Sequence, residues 1–190
     1  MLAEPVAVTL LVTHALETLG VPYLIGGSLA GALHGVIRTT LDTDLVAELR
    51  PEHVAPLIQA LGTTFYIDAE AAHDAIRRRS SFNLIHLETM FKVDIFVSKQ
   101  RPFDQAQFTR RTAQIVATAP EQTAYIASAE DTILIKLEWY RLGGEMSERQ
   151  WRDVLGIIQV QADRLDLDYL RHWAVELGVA DLLEKALTTE

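Results

Sequence analysis

Cysteine is missing from this 190-residue chain, which excludes disulfides, thiolate zinc sites and cysteine nucleophiles. Any metal is left to oxygen or imidazole ligands. Apolar runs are short, and none approaches the roughly 18 residues of a spanning helix. The opening MLAEPVAVTLLVTHALETLG carries acids and a histidine where an export signal has a basic segment. The expectation is a soluble, cytoplasmic protein with no membrane partner. Positive charge is also scarce: 17 Lys/Arg against 26 Asp/Glu give a net charge of −9, which argues against broad non-specific binding to nucleic acid. The deficit is uneven. Between His73 and Arg111 eight Lys/Arg face four acids, a local +4 against −13 elsewhere. Solvated arginines and a patch steering an anionic substrate both fit that distribution. Hydrophobic residues make up 49%, enough to build one compact domain, or a small domain with an appended bundle.

Apolar residues recur at helical spacing from Ala3 to Leu19 (Val8, Leu11, Val12, Ala15, Leu16), and Gly20 supplies a stop. YLIGG predicts a short strand running into a small helix, GSLAGALHG, closed by Gly35. DTDLVAEL reads as a strand, followed by a helix from Pro51 to Leu61. TFYI predicts another strand and AEAAHDAIRRR another short helix. SFNLIHLE and KVDIFV predict an antiparallel hairpin. Thr, Gln, Ala and β-branched residues between Arg101 and Ser128 predict further short strands. Thereafter four helical segments follow, with Ser128 and Ser147 as N-caps and Ser147 to Gln150 fitting a capping box. The predicted division is a mixed domain over 1–125 and a helical domain over 126–190.

The chemistry concentrates in three places. Gly26, Gly27 and Ser28 form a strand-to-helix turn whose backbone can approach a phosphate, with a serine hydroxyl as an added donor. A plain tight turn has the same composition, and neither Gly-x-Gly-x-x-Gly nor a Walker motif is present. Thirteen residues separate Ser28 from Asp42 and, with it, Asp44, which a strand points to one face while Thr43 points away. Asp94 sits in the apolar strand Val93–Val97, where a buried carboxylate costs several kcal/mol unless a cation or donors compensate it. Carboxylate ligands suit Mg²⁺ or Mn²⁺. His34, Arg38, Thr39 and Thr40 can contact a nucleotide or serve structure alone. His86 has no metal-ligand spacing around it. Trp139 and Trp151 read as core between the helical tail and the mixed domain.

Taken together, IGGS, LDTDLV and KVDIFV resemble the nucleotidyltransferase superfamily that includes DNA polymerase β-like enzymes and aminoglycoside nucleotidyltransferases. Thr43 departs from the apolar residue usual between the two aspartates. More narrowly, the chain resembles bacterial AbiEii-type toxin nucleotidyltransferases, with Lys136 in EDTILIKLEWYR and Asp153 in SERQWRDVLG matching a tail lysine and aspartate. The resemblance implies an α+β fold with a nucleotidyltransferase-like mixed sheet flanked by helices and a C-terminal helical bundle. It further implies Asp42, Asp44 and Asp94 as metal-binding and catalytic residues, with Gly26, Gly27, Ser28, Lys136 and Asp153 on the nucleotide. NMP would pass from an NTP to a hydroxyl of RNA (a tRNA end among them), protein or a small molecule, and a toxin would have an antitoxin partner. Lys136 and Asp153 equally suit ordinary helix ion pairs. A non-catalytic, nucleotide-binding regulatory protein on the same fold is the alternative; a metal-dependent phosphohydrolase lacks the histidine pattern.

Overall fold

The computed structural model describes residues 4–36, 42–118 and 120–189. They form an α+β structure with a seven-stranded mixed sheet. The helices are α1 (Glu4–Thr18), α2 (Gly27–Leu33), α3 (Pro51–Leu61), α4 (Ala69–Arg78), α5 (Pro102–Arg110), α6 (Ala129–Leu142), α7 (Glu148–Gln161), α8 (Leu167–Glu176) and α9 (Ala180–Thr188). The strands are β1 (Tyr23–Ile25), β2 (Asp42–Ala47), β3 (Phe65–Ile67), β4 (Ser81–His86), β5 (Lys92–Val97), β6 (Thr112–Thr118) and β7 (Glu121–Ile126). Among the described residues no helix is long and apolar enough to cross a membrane. Two compact units divide after Gly26 and between Ile126 and Ala127. The first holds the sheet; the second holds α2 and the helices from α6 onward. A linear division at 125/126 places α2 with the sheet instead.

In the first unit the strand order is β3-β4-β5-β2-β1-β7-β6, so β2 and β5 lie in the interior. They pair in parallel with Asp42 opposite Lys92 and Asp44 opposite Asp94. Both strands alternate half-buried and buried positions, the signature of one face covered by helices and one open. Leu45, Val93 and Ile95 on the covered face are fully buried. Thr43 shares that face, and its hydroxyl makes a 2.9 Å hydrogen bond with the Thr9 hydroxyl on α1. This accounts for Thr43 between the aspartates: the polar side chain is partnered by the helix that covers it. Tyr23 ties the same helix to the sheet, its phenol donating to Glu17 at 2.6 Å. Burial, then the Glu17 contact, pushes that phenol well above its ordinary range.

The segment from Arg101 to Ser128, where short strands are expected, begins with α5. Pro102 is preset for a first helical turn and Asp104 reaches back to the Arg101 N–H at 2.9 Å. The strands come after it, as the β6-β7 hairpin.

The second unit is built from capped helices. Ser128 Oγ accepts from the Asp131 N–H at 3.1 Å and Ser147 Oγ from the Gln150 N–H at 3.4 Å. Among the described residues Gln150 Oε1 has no hydrogen-bond partner, so the reciprocal half of the capping box is not made there. Trp139, expected in the core, is 46% exposed. The inward stripe of α6 runs through Ile133, Leu134 and Leu137, and a residue two places beyond Leu137 falls on the opposite side of a helix. Trp151 packs on Tyr140, ring centroids 5.4 Å apart, under the Lys185 ammonium.

Gly35 ends α2 with φ +111°, and an added Cβ would collide with Val160 of α7. Gly35→Ala is therefore expected to cost about 1–3 kcal/mol through a strained φ and a clash. A melting temperature several degrees below wild type checks it.

Candidate functional site

Asp42 and Asp44 project from the half-buried face of β2, and β5 presents Lys92 and Asp94 on the same face. Adjacent strands lie about 4.8 Å apart, so the Asp44–Asp94 register pairing brings two carboxylates side by side, with Asp42 one pleat away. Asn83 of β4 is the partner of Asp94 on its other flank. The end of β1 is pinned here too: the Gly26 N–H donates to the Asp44 carbonyl at 2.9 Å. Among the described residues an added Cβ on Gly26 would meet only that carbonyl, at 4.0 Å.

Three like charges on one face repel. Here the Lys92 ammonium answers them, its Nζ 2.8 Å from Asp94 Oδ2. The hydrogen bond to Asp94 holds the Lys92 ammonium above the ordinary lysine range against desolvation by burial, and the fields of Asp94, Asp42 and Asp44 add to it. Lys92 drew no notice from sequence except as one member of a basic stretch. Its signal was its place two residues before Asp94, which a strand turns to one face.

A hard divalent cation suits this donor set, which is all oxygen and already holds a cation. Among the described residues, however, no three acidic or imidazole groups converge as a ready ligand cluster. The register brings the three carboxylates to one face without closing them on one point.

The other expected residues divide between the units. Gly26 belongs to the first; Gly27 and Ser28 open α2 in the second. The second unit also gathers Lys136 and Asp153. α2 packs on α6, and a Cβ added to Gly31 would touch Lys136 Cε at 3.7 Å. Lys136 Nζ donates to Asp153 Oδ2 at 2.7 Å, with the two side chains only 5% and 7% exposed. Other buried acids of α6 are similarly bound: Asp131 accepts from the Tyr169 hydroxyl at 2.7 Å, and Glu130 accepts from the Asp166 N–H at 3.0 Å.

His34 is buried, with Nε2 2.8 Å from the Ala127 carbonyl, a contact that fills its polar edge. His86 meets Thr89. Arg38, Thr39 and Thr40 lie outside the described residues.

No family model matches the chain, and no curated protein matches it. Solved structures do. A nucleotidyltransferase-like antigenic protein from Paracoccidioides brasiliensis superposes with TM-score 0.57 at 20% identity, covering 94% of this chain and 93% of that one. The fold is that of the nucleotidyltransferases. The antibiotic-resistance factor ANT(2'')-Ia gives TM-score 0.58 at 14% identity over 95% of each chain. The lincosamide antibiotic adenylyltransferase LnuA, bound to lincomycin, gives 0.51 at 16% identity over 84% of this chain and 98% of its own.

The buried Lys136–Asp153 pair has a measurable consequence. Lys136→Met strands a buried carboxylate and is expected to cost about 3–5 kcal/mol, whereas joining it to Asp153→Leu recovers most of the loss. Urea midpoints of wild type, single and double variants check this. A double variant no more stable than the single one refutes the pairing.

Proposed function

We propose that the protein is a metal-dependent nucleotidyltransferase that moves NMP from an NTP to a hydroxyl and releases pyrophosphate. The observation that carries this reading is the in-register β2–β5 pairing, which sets Asp42, Asp44 and Asp94 on one open face of a nucleotidyltransferase-type sheet. Asp42, Asp44 and Asp94 would hold a divalent cation, which when bound neutralises charge on the reacting phosphates. Asp94 is assigned to the acceptor side. Its carboxylate takes the proton as the acceptor oxygen bonds to the α-phosphorus and the bond to the β-phosphate oxygen breaks. Gly26, Gly27 and Ser28 are assigned to the β- and γ-phosphates on the strength of the resemblance. Lys136 and Asp153 are assigned to shaping the nucleotide-binding helices of their own unit, since their charges meet each other.

Acceptors come from three classes: RNA, protein and small molecules. LnuA, as a lincosamide adenylyltransferase, supports the small-molecule class; the basic stretch from His73 to Arg111 supports an anionic one. A toxin role with an antitoxin partner rests on the AbiEii-type resemblance alone. One observation favours the alternative of NTP binding without turnover: the Lys92 ammonium already sits on Asp94.

Wild type incubated with α-labelled NTPs, Mg²⁺ or Mn²⁺ and acceptors of each class is expected to transfer label. EDTA should abolish the transfer. Asp42→Ala and Asp44→Ala should lower it at least 10²-fold, in the range of losing one electrostatic stabiliser. Equal transfer by the variants sinks the assignment, and stoichiometric NTP binding with no transfer selects the non-catalytic reading.

A further inference from the structure

We propose that Lys92 is a built-in counter-cation of the carboxylate face, holding Asp94 until a divalent cation arrives and yielding to it, and so setting the affinity for that cation. The inference rests on the proposed function only in taking this face to bind a divalent cation.

The geometry sets the lysine among the carboxylates that it neutralises. Lys92 is the cross-strand partner of Asp42 and lies on the same strand face as Asp94, two residues on. Its Nζ is 2.8 Å from Asp94 Oδ2. It therefore sits among the three carboxylates that a metal would need, a position in which a monovalent ammonium and a divalent ion compete for the same oxygens.

Comparison with the other lysine–aspartate pair shows why this one can yield. Lys136 and Asp153 are 5% and 7% exposed, sealed by their own helices. Lys92 and Asp94 are 41% and 20% exposed, so water can take over the ammonium when it leaves. An exposed pair is worth at most about 1 kcal/mol, which corresponds to about a five-fold effect on a competing equilibrium. That is enough to tune a metal site without blocking it. When displaced, the lysine stays tethered beside the cation by its four-carbon stem, keeping a positive charge available to an anionic ligand.

The test is calorimetric titration of Mn²⁺ into the full chain in the absence of nucleotide. The set comprises wild type, Lys92→Met, Lys92→Gln, Lys92→Arg and Asp42→Ala, each first checked for folding by circular dichroism. Neutral variants are expected to bind Mn²⁺ about three- to five-fold more tightly, Lys92→Arg to stay near wild type, and Asp42→Ala to bind several-fold more weakly. The gain should shrink as salt is raised, because screening weakens the exposed pair. Neutral variants that bind equally or more weakly overturn the proposal, as does the absence of Mn²⁺ binding in every chain. Label transfer assayed on the same samples separates the two readings. Tightened Mn²⁺ binding without transfer leaves the counter-cation standing and removes the transferase; transfer with an unchanged Mn²⁺ Kd does the reverse.

Discussion

The pairing of β2 with β5 governs the chemistry of the first unit. Because the two strands run parallel and in register, Asp42 faces Lys92 and Asp44 faces Asp94. A one-residue slip of β2 would send Asp42 and Asp44 to the other face, beside Val93 and Ile95, and would carry Leu45 out of the core. Burial of those apolar residues against helices thus fixes the carboxylates on the open side. The hydrophobic effect selects the register, and the register assembles the charges. The cost is a concentration of negative charge, which Lys92 of β5 offsets at Asp94.

In the second unit charge is handled in the opposite manner. Lys136 and Asp153 are drawn inside and locked together, and the acids of α6 accept hydrogen bonds from Tyr169 and the Asp166 backbone. Such a buried network favours one helix arrangement over others more than it adds net stability, since desolvation consumes most of the Coulombic gain. A phosphate-contacting role expected for Lys136 has to be weighed against that engagement. The same residue pattern, a helix lysine and a later helix aspartate, produces either outcome, and sequence spacing carries no sign of which.

Legibility from sequence followed the strength of local signals. The hairpin carrying Asp94, the strand carrying Asp42 and Asp44, and the Ser128 and Ser147 caps were readable because period-2 alternation and capping chemistry are local. α5 was misread since its Thr and Gln content masked the Pro102–Asp104 start, which is itself a local signal. Trp139 was misplaced by residue type, where helical phase relative to Leu137 decides. Lys92 was overlooked because its meaning is relational: it acquires a role only once Asp42 is known to be its cross-strand partner. The placement of α2 with the later helices is likewise a property of long-range packing.

The hydroxyl bridge between Thr9 and Thr43 gives the acidic strand a second reference point, behind the sheet. Thr43 sits between the two aspartates, and its side chain is clamped to the first helix of the chain. Rotation or sliding of β2 about its axis would break a directional bond as well as an oily contact. The opening helix therefore works as a keel for the two carboxylates, and evolution could retune their aim from Thr9, a residue on the far side of the sheet.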